Sequence, residues 1–196
     1  MGYFGIDGGG IVNRLWRYVL ATDAGMAPCV DNNMLTLSCC KPMIRKHAVP
    51  GDWVIAFAPK QYGIGRVAYV GQISEVLPLG EYEKRFRGRR DAIYRAKSNA
   101  TGEELVPLRK DYHSDEISRA RDRNGKNALI FAPFWYWGGT GIPARGEIAD
   151  LAHYFVGQTT KRSTEEAIWQ LKEWLYLVAK PGVHGRPRTP LPRKRC

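Results

Sequence analysis

The sequence predicts an α+β domain: a small, mainly antiparallel sheet with a short basic helix and two C-terminal helices. Three observations carry this. Residues 53–58 and 67–76 are apolar runs joined by a loop holding Gly63 and Gly65, the pattern of an antiparallel pair. Residues 15–21, 35–40 and 127–131 are short runs rich in β-branched and aromatic side chains. Residues 163–179 place Ile168, Leu171, Leu175 and Val178 at helical spacing. Strands, a helix, more strands and then helices is the order of an α+β fold.

Residues 1–12 contain five glycines and read as a flexible N-terminus. The first strand, 15–21, is followed by turn-forming side chains at Asp23, Gly25, Pro28, Asn32 and Asn33. After the strand at 35–40, Pro42 suits the first position of a helix, where a missing N–H costs nothing. That helix stops before Pro50, because a residue preceding proline avoids helical angles. Pro50, Gly51 and Asp52 make a turn into the hairpin. Residues 81–94 read as a basic helix or an ordered loop, and the polar stretch 99–127 as irregular. Strand 127–131 leads into Phe134, Trp135, Tyr136 and Trp137. Residues 146–156 are weakly amphipathic. In the last helix Ser163 and Glu166 have capping-box spacing, and Pro181 and Gly182 end it. Prolines among arginines make 180–196 a disordered basic tail, leaving 13–179 as one α+β domain.

The formal net charge is +11, from 30 Lys and Arg against 19 Asp and Glu. Such an excess points to polyanionic partners: DNA, RNA or a nucleotide. No apolar run is long enough to span a membrane, and no membrane partner is expected. Cys39 and Cys40 are adjacent, a spacing that matches no zinc motif, so no metal is expected. No cofactor is expected either. Residues 1–12 lack a secretory signal pattern, and free thiols fit a cytoplasmic protein.

Several groups can carry chemistry. Lys41 and Arg45, four apart, share a helical face and can grip phosphate, with Asp52 and Trp53 close in sequence. Trp53 can offer a wall for a base, against the alternative that it fills the core. Alternation puts Phe134 and Tyr136 on one face of a strand, Trp135 and Trp137 on the other. One face can stack bases, unless terminal helices cover both. Arg85, Arg87, Arg89 and Arg90 form a strip suited to a nucleic-acid backbone, or a solvated surface. His113 and Asp122 are acid–base candidates on a polar stretch. Cys40 is a candidate nucleophile beside Lys41 and Arg45, or a small buried apolar residue.

The segments Thr36-Leu37, Cys40-Lys41-Pro42, Ile44-Arg45 and Gly51-Asp52-Trp53-Val54 resemble the nucleotide modification associated domain 2 family. Further matches follow that family's order. They are Asp23-x-Gly25-x-Ala27-Pro28, Glu81-Tyr82, Asp91-x-Ile93-Tyr94, Arg121-Asp122-x-x-Gly125, Phe134-x-Tyr136 with Gly138, and Ile142-Pro143. Cys39 and Phe131 replace small hydroxyl residues, and Trp137 replaces Phe. The resemblance implies a place in phage or bacterial systems that alter DNA bases, and adds Asp23 to the candidate nucleotide-binding residues. A looser likeness, helix then Gly-Asp then two apolar strands, is to PUA-like barrels of the EVE and ASCH groups. Those bind modified bases or RNA.

These observations lead to a nucleic-acid or nucleotide-binding module that recognises a modified base. Two alternatives stand beside it: an enzyme that modifies a nucleobase or nucleotide, and an interaction protein without a ligand pocket.

Overall fold

The structure, a computed structural model, describes residues 13–99, 102–153, 155 and 157–188. The expected flexible N-terminus, 1–12, lies outside them.

The chain opens with β1 (Leu15–Val19), β2 (Cys29–Asp31) and β3 (Met34–Leu37), then α1 (Pro42–His47) and β4 (Trp53–Phe57). A 13-residue strand follows, β5 (Arg66–Pro78), which runs directly into α2 (Leu79–Arg85). Next come β6 (Tyr94–Asn99), β7 (Gly102–Pro107), α3 (Glu116–Asn124) and the 10-residue β8 (Asn127–Tyr136). The chain continues through β9 (Ile142–Pro143), α4 (Gly146–Asp150), β10 (Gln158–Thr159), α5 (Glu165–Val178) and β11 (Gly182–Val183).

The sheet runs β10-β1-β4-β5-β8-β3-β2, with β9 against β5 and β11 against β8. All its pairings are antiparallel except β1 with β4 and β11 with β8. Its path ends on β10 and β2, so the sheet is open and the barrel alternative is set aside. The expected hairpin is β4–β5. The two longest strands, β5 and β8, lie side by side at the centre.

Apolar side chains cover both faces. One layer joins Tyr18, Leu37, Val54, Tyr69, Phe131 and Tyr136 to Ile44 and Ala48 around α1. The other joins Leu15, Trp53, Phe57, Val70 and Trp135 to Ile168, Leu171 and Leu175 of α5. A third cluster, with Cys39, Tyr82, Tyr94 and Ala128, lies under α2 and the β6–β7 hairpin.

Three sequence expectations change. Residues 99–127 are not irregular: they include β7 and α3, whose Asp115 side chain accepts from the Ser118 amide as a cap. The cap of α5 is Thr164, which accepts from Ala167 N–H. Ser163 Oγ instead accepts from the amide of Leu15, tying the helix to β1. The disordered tail does not begin at 180, because β11 pairs with β8 and the amides of His184 and Gly185 donate to the Tyr136 carbonyl. Residues 189–196 lie outside the described residues.

Candidate active site

Where β3 ends, Ser38 to Lys41 turn the chain into α1. Cys40 and Lys41 have φ of 54° and 43°, left-handed values that side chains with a Cβ rarely adopt. Each such residue costs about 1–3 kcal/mol, and persists only where its surroundings hold it. Here they do. The Cys40 amide donates to Asp122 Oδ1 at 2.6 Å, and its carbonyl accepts from Arg45 Nε at 2.6 Å. His113, across the site, also has positive φ, 45°.

Arg45 is the buried pin of this turn. It is 0 % exposed. Beyond Cys40, its guanidinium donates to the carbonyls of Ser38 at 2.8 Å and Asn127 at 2.9 Å, and to that of Asp122. Burial pushes its pKa down, and the Asp122 charge opposes that shift. Gly125 makes room: a Cβ there would collide with Arg45 Nη2. The expected phosphate contact from Arg45 is therefore corrected. Its donors are committed to the fold.

The cysteine itself faces a histidine. Cys40 Sγ lies 3.7 Å from His113 Nε2, and His113 Nδ1 lies 2.6 Å from Asp122 Oδ2. A carboxylate only accepts, so the proton of the neutral ring sits on Nδ1 and the Nε2 lone pair faces the sulfur. Tyr112 stacks on the His113 ring at 4.2 Å between centroids, and its hydroxyl is 3.6 Å from both Cys39 and Cys40 sulfurs. Burial and the two thiols push the Tyr112 pKa up, so it stays a protonated phenol beside the sulfur. Tyr94 OH donates to Asp122 Oδ2 at 3.2 Å; burial first, then the Asp122 charge, raises its pKa.

Cys40 is 8 % exposed, and the His113 side chain 12 %. The thiol is thus nearly buried, with the imidazole only slightly more exposed.

Sulfur, imidazole and carboxylate lie within 4.8 Å of one another, a set whose atom types can also hold a metal. Sequence spacing excludes a zinc motif, yet the fold collects these ligands from three segments. Sulfur and carboxylate face opposite nitrogens of one ring, which is how a nucleophile, a base and its orienting group are arranged. A metal on Nε2 and Sγ would leave Asp122 behind the histidine, as an outer partner and not a third ligand.

The other expected binding residues do not join this site. Trp53 and Trp135 stack at 6.5 Å in the layer under α5, 2 % and 0 % exposed. They are core, and neither offers a face to a base. Tyr136 is buried, donating to Asp23 Oδ2 at 2.5 Å; burial raises the Asp23 pKa, opposed by that bond. Asp52 is buried and accepts from Arg14 and from Trp16 Nε1. Lys41 Nζ lies 4.5 Å over the Tyr18 ring. The arginine strip is not uniform: Arg85 pairs with Glu75 and Arg87 with Glu83, whereas Arg89 is inside, bonded to Asp91 and Tyr82. Exposed Arg90 donates to the Val30 carbonyl at 3.4 Å.

His113 and Asp122, expected as the acid–base residues, and Cys40, expected as the nucleophile of the enzyme alternative, lie together. Tyr112 and Tyr94 were not anticipated. The adjacency of Tyr112 to His113 was the available signal, but nothing local showed that Cys39 and Cys40 would reach it.

An open-sheet α+β domain carrying a cysteine–histidine–aspartate cluster is the class that fold and site define. A family model described as nucleotide modification associated domain 2 matches residues 12–191, and the chain belongs to that family. No curated protein and no solved structure matches.

Proposed function

We propose that this protein is a group-transfer enzyme of a nucleotide-modification system, with Cys40 as nucleophile. The observation that carries the reading is the line Cys40 Sγ, His113 Nε2, His113 Nδ1, Asp122 Oδ2. His113 takes the thiol proton on Nε2 while Asp122 holds the ring. The sulfur then bonds to an electrophilic carbon of the substrate, and the leaving atom takes the proton from Nε2. An acceptor next displaces the sulfur, giving its own proton back through His113. Tyr112 OH steadies the thiolate while the sulfur carries negative charge.

The family name supports nucleotide modification as the setting, and the charge of +11 supports a nucleic acid or nucleotide as substrate. The burial of Arg45, Trp53, Trp135 and Tyr136, which the binding module needed at its surface, supports the enzyme reading over it.

Two measurements test this. Nucleosides from cells making the wild-type protein, compared by mass spectrometry with those from cells making Cys40→Ala, should contain a modified species that the variant lacks. Iodoacetamide labelling, mapped by peptide, should mark Cys40 ahead of Cys29 and Cys39, and His113→Ala should slow it about tenfold or more. Identical nucleosides together with labelling indifferent to His113 would remove the catalytic reading.

A further inference from the structure

A cleft of about 790 Å³ opens along the β1–β10 edge, and Cys40, His113 and Asp122 are not among its lining residues. Its walls include Phe57 and Phe155, from the layer beneath α5, together with Lys60, Lys161 and Gln158. Among the described residues no carboxylate lines it. The volume falls within the range of small-molecule sites, which pair apolar walls with a few polar groups.

Behind this wall lies Arg17, 1 % exposed. Its guanidinium donates to the Leu151 carbonyl and, at 2.7 Å, to that of Lys161, and its carbon sits 4.9 Å from the Phe155 ring. Among the described residues no carboxylate pairs with it, and Nε is buried without a partner. Burial, with Arg162 adding to it, pushes its pKa down. A buried cation without a counter-charge is costly unless something nearby offsets it. An anion in the cleft would do that, and Lys60 and Lys161 line the same cleft.

We infer that this cleft is a second binding site, which takes a nucleoside monophosphate: phosphate on Lys60 and Lys161, ring against Phe155. The phosphate lies in the combined field of Arg17 and the lysines, and the apolar wall takes the base from water. This site does not depend on the thiol reading.

Calorimetric titration of the full chain at low salt tests it, with the four deoxynucleoside 5′-monophosphates, the matching nucleosides and inorganic phosphate. At least one monophosphate should bind saturably, and equally to Cys40→Ser. A Lys60→Ala, Lys161→Ala double variant should weaken it about tenfold or more, and so should Phe155→Ala. Both lysines are exposed, so the double variant should melt as the wild type does. Nucleosides lacking the phosphate should bind about tenfold more weakly or worse. Absence of saturable binding by all four monophosphates overturns the inference, as does binding that ignores the double variant. Binding lost in Cys40→Ser and kept in the double variant would move the ligand to the thiol.

Discussion

Cys40 and Asp122 are 82 positions apart and are joined by a 2.6 Å bond from the cysteine amide to Oδ1 of the carboxylate. The other oxygen of that carboxylate holds His113. One buried side chain therefore sets both the backbone of the candidate nucleophile and the ring of its base. Neither can shift without disturbing the other.

Replacing Asp122 with Asn tests this double role. An amide nitrogen cannot accept, so at least one of the three donors on Asp122 loses its partner: the Cys40 amide if the nitrogen replaces Oδ1, Tyr94 and His113 if it replaces Oδ2. A buried donor left unsatisfied costs about 1–3 kcal/mol, to be read from urea unfolding. Iodoacetamide labelling of Cys40 should slow about tenfold or more, because the ring turns or takes the wrong tautomer. Unchanged labelling in a folded variant would show that Asp122 supports structure alone.

Arg45→Met should cost stability and not ligand affinity. It strips donors from four carbonyls at the turn. At about 1–3 kcal/mol for each carbonyl left dry, the loss should be roughly 3 kcal/mol or more. Gly125→Ala should act in the same direction, by crowding the guanidinium. A variant at Arg45 that melted normally and lost nucleotide binding would restore the phosphate role.

Trp53→Ala and Trp135→Ala should each lower stability by about 3–5 kcal/mol, the usual cost of removing a buried aromatic. Their stacked rings leave no face for a base. Denaturant midpoints should fall in both. Selective loss of nucleotide affinity at an unchanged midpoint would place a base on these rings after all.

Acid should weaken the fold partly through Glu83. Arg95 hydrogen bonds hold its carboxyl below the ordinary value, with Arg87 helping and desolvation opposing. A native pKa below the unfolded one means that the unfolded chain binds more protons as pH falls. This contribution is complete above about pH 4.3, the ordinary glutamate value, and is lost as pH drops through the lowered one. Glu83→Gln should therefore flatten the acid side of a plot of melting temperature against pH. An acid side as steep as that of the wild type would exclude Glu83 as a source.

Local pattern was enough for the parts of this fold that answer to local physics. Alternation and apolar runs placed β1, β4, β5 and the start of β8, and spacing of three and four placed α5. Pro42 and Pro50 bounded α1. The stretch from 99 to 127 was harder. Its polar composition masks the cap at Asp115, and α3 is anchored through Asp122, whose carboxylate finds partners on distant segments.

The site divides in the same way. That Cys40, His113 and Asp122 were of the right chemical kind could be read from residue type alone. That they meet, and that Arg45 turns inward, was decided by α1 and α3 packing together, whereas Trp53 turns inward under α5 and Asp52 against Arg14 and Trp16. The reason is that burial and hydrogen-bond closure are properties of three-dimensional neighbours: a guanidinium beside water grips phosphate, and the same group enclosed by carbonyls becomes part of the frame.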